Sequence, residues 1–148
     1  MTVTIRPMVA ADYPQWAPLW QAYLTFYASS VRDEVTDTTF ARLTDSKNTE
    51  RAAFVAQIDK DIVGFVHHIT HAHNWHLNDV MYLQDLFVAD GMRGQGVARA
   101  LIDRVYKLAD ESGTPNVYWM TQEFNHPARA LYDKVATLTP FVKYQRPV

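Results

Sequence analysis

The 148-residue chain contains no cysteine, which excludes a thiolate nucleophile, a disulfide and a cysteine-ligated zinc site. It has no excess of one charge either. Fourteen Lys and Arg stand against sixteen Asp and Glu, a net charge of −2 with His neutral, so there is no basic field for nucleic acid or an anionic membrane surface. No apolar run reaches membrane-spanning length, and Met1 to Pro7 lack the basic region and apolar core of a secretory signal. A cytoplasmic protein is expected. Repeats and low-complexity tracts are absent, and a hydrophobic content of 48% suits one core. Residues 1–148 therefore read as a single domain.

Glycine is scarce, with five in the chain, and two of them stand together in Arg93-Gly94-Gln95-Gly96-Val97-Ala98. This stretch follows the apolar run Tyr82 to Val88 and opens a segment of helical period, so its order is strand, glycine turn, helix. Glycines permit positive φ and close approach of a ligand to the backbone. A helix N-terminus offers free N–H groups and the positive end of a dipole, which suits a pyrophosphate. Arg93 adds a charge-assisted donor. The turn is not the three-glycine dinucleotide fingerprint. With no Gly-Lys-Ser/Thr following, it is not a Walker loop.

Periodicity along the chain predicts a first strand over 3–7 and a helix carrying Trp16, Leu19, Trp20, Tyr23, Leu24 and Tyr27, with Asp12 as its cap and a kink at Pro18. A loop is expected over 29–33 and a short helix over 38–43. Strands over 52–58 and 62–69 are joined at Asp59-Lys60-Asp61. A histidine-rich loop spans 71–78. A strand over 81–88, an amphipathic helix over 97–109, a strand over 117–121, a helix opening at Pro127 and a closing strand over 141–145 complete the order. The expectation is an α/β (α+β) domain, one mixed and mostly antiparallel sheet with helices on both faces.

The turn reads R-x-x-G-x-A, and it resembles the acetyl-CoA signature of the GNAT N-acetyltransferases. A second block, Asn125-His126-Pro127-Ala128-Arg129-Ala130-Leu131-Tyr132-Asp133-Lys134, resembles the N-x-x-A-x-x-L-Y-x-K motif of the same family. The resemblance spans the chain, most specifically 81–135. Within the family, Tyr82 to Val88, Gly113 to Trp119 and the Asn125 block are most similar to the histone/polyamine (Hpa-type) acetyltransferases.

That resemblance implies the GNAT fold and direct transfer of acetyl from acetyl-CoA to a primary amine, of a polyamine, an amino acid or a protein lysine, with no covalent enzyme intermediate. It implies that pyrophosphate sits on Arg93, Gly94, Gln95, Gly96, Val97 and Ala98. The pantetheine arm would lie beside Leu86, Phe87 and Val88, with Asn125 nearby, where the family's strands splay and a backbone N–H can polarise the thioester. Tyr132 matches the tyrosine that protonates the leaving thiolate, and a phenol holds its proton at neutral pH for that purpose; otherwise it belongs to the apolar stripe of its helix. Asn125 is otherwise a helix cap. A homodimer is expected by analogy. Family members usually continue after the second block with glycine and an aromatic, where this chain has Ala136-Thr137, so the last strand pair and the dimer contact built there are altered.

The base departs from the pattern. The relatives often read Tyr-Leu-Glu-Asp, and the glutamate position here is Gln84, a carboxamide that takes no proton at neutral pH. Asp85 stands next to it, but strand alternation points it to the opposite face unless a bulge re-aims it. A water chain to Asp85, a histidine or loss of the proton to solvent are the alternatives. Tyr23, Tyr27, Gln84 and Trp119 are candidate acceptor-site residues. For the two helix tyrosines and for Phe26 the other reading is core. Asp33, Glu34 and Asp37 could hold a cationic amine or form a solvated loop. His67, His68, His71, His73 and His76 match no zinc spacing, so no metal is expected; a polar loop explains them better. A non-catalytic acetyl-CoA sensor with the same fold is the competing function.

Overall fold

The computed structural model describes residues 2–148. Five strands form one sheet in the order β1-β2-β3-β4-β5. They are β1 (Thr4–Pro7), β2 (Arg51–Ile58), β3 (Asp61–His71), β4 (Val80–Val88) and β5 (Val117–Tyr118). The first four pair antiparallel, and β5 pairs parallel to β4. Helices α1 (Tyr13–Phe26) and α2 (Asp33–Thr44) cover one face. Helices α3 (Val97–Glu111) and α4 (His126–Val135) cover the other. This is the expected mixed sheet between two helical layers.

Alternation along β2 and β3 assigns side chains to the two cores. Val55 and Phe65 join Trp16, Trp20, Leu24, Phe40 and Phe87 on the α1 side. Phe54 and Val66 join Met81, Leu83, Leu101, Ile102 and Val105 on the α3 side. Because both faces are covered, β3 is buried almost from end to end.

Several boundaries differ from expectation. Asp12 does not cap α1 with its side chain. It is buried and takes two hydrogen bonds of 2.8 Å from Arg6, with a third from the Val9 N–H, fastening β1 to the turn before α1. That ion pair and the N–H bond hold its carboxyl below the usual range. The predicted loop over 29–33 ends where α2 begins, so Asp33, Glu34 and Asp37 sit on the exposed first turns of a helix rather than in a loop. Acidic groups suit that end of the dipole.

β5 is two residues long, and β4–β5 pairing stops at Tyr82 and Tyr118. The closing strand expected over 141–145 does not form. α4 ends at Ala136 in extended conformation (φ −150°, ψ 178°) rather than in a left-handed glycine turn, so the chain runs outward instead of folding back. Phe141, Val142 and Tyr144 remain largely exposed.

Two packing constraints yield tests. A Cβ on Gly64 would lie 2.8 Å from the Phe87 carbonyl oxygen. Gly64→Ala is therefore expected to lower stability by about 1–3 kcal/mol, read as a lower urea midpoint. His68 is buried on the α3 face, and neither ring nitrogen meets a hydrogen-bond partner among the described residues. Burial above all, with the positive charge of Arg104 nearby, pushes its pKa down to about 4.

The unfolded chain takes up this proton near its ordinary value of about 6.5, whereas the folded chain does not. Stability is thus full above about pH 6.5 and falls as pH drops toward 4, by up to about 3 kcal/mol. Denaturant titrations at neutral and acid pH are expected to show this drop, and His68→Leu should flatten it.

Candidate active site

The glycine turn is built as its sequence requires. After β4 a 3₁₀ turn (Asp90–Met92) leads to Arg93. Gly94 and Gly96 adopt φ of 77° and 81°, a region that costs a residue with a Cβ about 1–2 kcal/mol. A Cβ at either position would meet nothing within 4 Å, so the turn faces open space. Gly96 occupies the N-cap position of α3, no side chain caps the helix, and no acidic residue lies in its first turn. The Ala100 N–H bonds back to Gly96. The preceding N–H groups of Val97, Ala98 and Arg99 are the orphan donors of the helix end. An anionic group such as a pyrophosphate fits this end sterically and electrostatically.

Arg93 braces the turn rather than entering it. Its Nε donates to the Val88 carbonyl at 3.2 Å, and its guanidinium pairs with Asp90 at 3.1 Å. The same group lies over the rings of Phe26 and Phe87, 5.6 and 5.4 Å from their centres. Phe26, considered from sequence as an acceptor-site or core residue, sits on the cradle side of α1 and is half exposed.

A bulge re-aims Asp85. Up to His67 the β3–β4 register pairs His67 with Asp85. Beyond it His68 pairs with Leu83, leaving Gln84 as the extra residue. The exposed Gln84 absorbs one step of the alternation, so Asp85 and Phe87 face α1 while Leu83 and Val88 face α3. Asp85 there accepts the Tyr23 hydroxyl at 2.8 Å and meets His67 Nδ1 at 2.8 Å. Beyond Tyr82 the strand has no β5 partner, so the edge carrying Gln84 to Val88 is splayed.

Tyr23 and Tyr27 link Asp85 to Tyr132 of the second motif block. The Tyr23 and Tyr27 rings meet edge to face at 5.1 Å. Burial and then the Asp85 carboxylate push the Tyr23 phenol far up. Burial raises Tyr27, and hydrogen bonding from Thr121 and Asn125 offsets part of that rise. Tyr27 is near enough to Asp85 to feel its charge, and near enough to Tyr132 for Tyr132 to feel Tyr27. Burial pushes the Tyr132 phenol up to about 12, so it is a proton carrier at neutral pH.

Trp119 packs edge to face on Tyr132 at 5.4 Å and beside Tyr106. It is a wall of the α3-side core that fixes the Tyr132 ring. Asn125 stands at the N-cap position of α4 but does not cap it with its side chain, which donates to Thr121 at 3.2 Å.

The histidines do not form one loop. His67 and His68 are consecutive in β3, buried on opposite faces, and His71 ends that strand. His71 Nε2 meets the Tyr118 hydroxyl at 2.8 Å. Only His73 and His76 belong to the β3–β4 loop, at the end of β4 remote from the glycine turn. Among the described residues no group of three His, Asp or Glu is placed to hold a metal. Sequence reasoning missed the roles of His67 and Trp16. Trp16 reads as one more stripe residue of α1, and its bond to His67 spans 51 positions.

The chain matches the family model described as "Acetyltransferase (GNAT) family" over residues 16–136. It is 39% identical to the D-amino-acid N-acetyltransferase HPA3 of Saccharomyces cerevisiae, covering 97% of this chain and 90% of that protein. It is 28% identical over 91 residues to a thialysine N-epsilon-acetyltransferase of Caenorhabditis elegans, covering 62% of this chain and 56% of that protein. The structure of AAC(6')-Iy in complex with a CoA bisubstrate analogue superposes with a TM-score of 0.86 at 20% identity, covering 100% and 99% of the two chains, which bears on the fold alone. The match to HPA3 agrees with the Hpa-type resemblance of the motif blocks. With the fold, the two motif blocks and the family match in agreement, the chain belongs to the GNAT family and is an acetyl-CoA-dependent N-acetyltransferase of the Hpa type.

Proposed function

We propose that the enzyme acetylates the primary amine of a small acceptor, with a free amino acid as the first candidate, and that Asp85 and Tyr132 are its proton-handling residues. The observation behind this reading is Asp85 itself: a carboxylate mostly sequestered from water, bonded to an imidazole and a phenol and in ion-pair contact with no lysine or arginine among the described residues. Such a charge favours a cation arriving from outside, and an acceptor ammonium supplies one. Identity of 39% over nearly the whole chain to a D-amino-acid N-acetyltransferase supports an amino acid as acceptor. The same identity favours catalysis over a non-catalytic acetyl-CoA sensor.

Acetyl-CoA, when bound, supplies the thioester. The N–H groups of Gly94 to Ala98 receive its pyrophosphate, and Leu86, Phe87 and Val88 on the splayed edge line the path of the pantetheine, with Asn125 across from them. Asp85 accepts one proton from the bound ammonium and passes it to solvent, the freed lone pair bonds to the acetyl carbon, and the attacking nitrogen then gives its second proton to Asp85. Tyr132 gives its hydroxyl proton to sulfur as the carbon–sulfur bond breaks, and exchange with solvent restores both groups. Tyr23 and Tyr27 line the acceptor side, and Gln84 on the bulge is a polar contact for the substrate. Leu138, Phe141, Val142 and Tyr144, exposed along the C-terminal segment, support pairing with a second copy of the chain.

A screen for CoA release with D- and L-amino acids, thialysine, polyamines and a lysine peptide tests the acceptor class. Turnover confined to the peptide would overturn the small-acceptor reading. Tyr132→Phe is expected to lower kcat by about 10²–10⁴-fold, with acetyl-CoA affinity by calorimetry close to wild type; undiminished kcat would remove Tyr132 from the mechanism. Gly96→Ala forces a Cβ into the left-handed region. It is expected to weaken acetyl-CoA binding about tenfold or more, since a loss of 1.4 kcal/mol is one decade. Unchanged affinity would place the pyrophosphate elsewhere.

A further inference from the structure

We propose that Trp16 is a positioning residue of the transfer site: its indole N–H fixes the tautomer of His67, which in turn holds Asp85 as an anion facing the acceptor amine. This rests on the reading of Asp85 above. Trp16 Nε1 lies 3.0 Å from His67 Nε2. An indole only donates, so Nε2 must present its lone pair. A neutral imidazole then carries its single proton on Nδ1, which lies 2.8 Å from Asp85 Oδ2. Read in order, indole N–H donates to Nε2, Nδ1–H donates to Oδ2, and the Tyr23 hydroxyl donates to Oδ1.

The ring cannot escape this arrangement. His67 is 2% exposed. It is stacked on Phe65 at 4.5 Å and flanked by Trp20 at 5.5 Å and Trp16 at 5.9 Å. Protonating Nε2 would set two N–H groups against each other in a site from which water is excluded. The lock therefore keeps an imidazolium from forming beside Asp85. An imidazolium there would neutralise the carboxylate and compete with the incoming ammonium.

The other titratable groups around the pair do not supply that charge. Tyr23 and Tyr27 on α1 and Tyr82 on β4 all have phenols raised above their ordinary value. His68, behind His67 on the other face of the sheet, is held neutral by burial. Asp85 has one donor on each oxygen and a second lone pair on each for the substrate.

Four variants and one spectrum test this. In ¹⁵N-histidine spectra of the wild-type enzyme at neutral pH, His67 is expected to carry its single proton on Nδ1. Trp16→Phe keeps much of the ring packing but frees Nε2. It is expected to raise KM for D-alanine and spermidine, used as probe amines, about tenfold, and to add an ionisation to the kcat/KM profile that the wild type lacks. Acetyl-CoA affinity should not move.

His67→Leu removes the donor to Asp85 and should raise the amine KM similarly. His67→Asn returns an N–H near the Nδ1 position without a basic ring, and should recover much of that loss. A wild-type His67 that carries its proton on Nε2, or a proton on both nitrogens, would overturn the lock, even if Trp16→Phe fails to fold. So would Leu and Asn variants that behave alike, or a Trp16→Phe enzyme with the wild-type profile. Asp85→Asn separates the two readings: full activity there would sink the role of Asp85 while leaving the tautomer, read by the spectrum, intact.

Discussion

The single extra residue at Gln84 is the constraint on which the site depends. Without it, strict alternation would turn Asp85 into the α3-side core, among Leu83, Val88 and Leu101, where an ionised carboxylate has no donor and a severe desolvation cost. With it, Asp85 faces α1 and finds two hydrogen bonds. The His67–Asp85 pair sits where the register changes, so the bulge and the polar pair hold each other in place. The same register brings the Phe87 carbonyl against Gly64, where no side chain fits. Strand geometry, core packing and the placement of charge are thus one structural fact seen from three sides.

Helix α1 joins the two ends of this arrangement. Trp16 reaches His67, Tyr23 reaches Asp85 about two turns further along, and Phe26 lies under the Arg93 guanidinium at the helix end. The helix touches the buried polar chain, the carboxylate and the brace of the glycine turn in succession. Movement of α1 would disturb anion binding and amine binding together, which couples the two substrates through one rigid element. Arg93 is better understood in this light. Its side chain bonds Val88 and Asp90 and so braces the turn from which the backbone N–H groups project.

Much of this was legible in the sequence, and what was not has a physical reason. α3 was predicted at 97–109 and forms at Val97–Glu111, because its apolar stripe is strongly periodic and a glycine marks its start. The two motif blocks marked the glycine turn and Tyr132 because each is local. The Gln84 bulge could be named only as a condition, since an inserted strand residue leaves no period of its own. The bond between Trp16 and His67 joins distant positions that both read as core. The strand expected over 141–145 has strand-forming residues, but strands need partners. A two-residue β5 and an extended exit from α4 leave none in the same chain.

The carboxamide at position 84 takes on a different meaning once the bulge is in view. Two carboxylates on neighbouring bulge residues would repel, and one would be driven toward its protonated form. Gln84 leaves Asp85 as the only negative charge on this part of β4. Neutral donors, an imidazole N–H and a phenol, then stabilise that charge without cancelling it, as an arginine or lysine would. Under the role proposed for Asp85, a site built this way keeps its attraction for a substrate ammonium and offers a proton acceptor for the nitrogen. The departure from the family's Glu therefore moves the carboxylate chemistry by one residue, and the bulge turns that residue to the face where the acceptor side of the site lies.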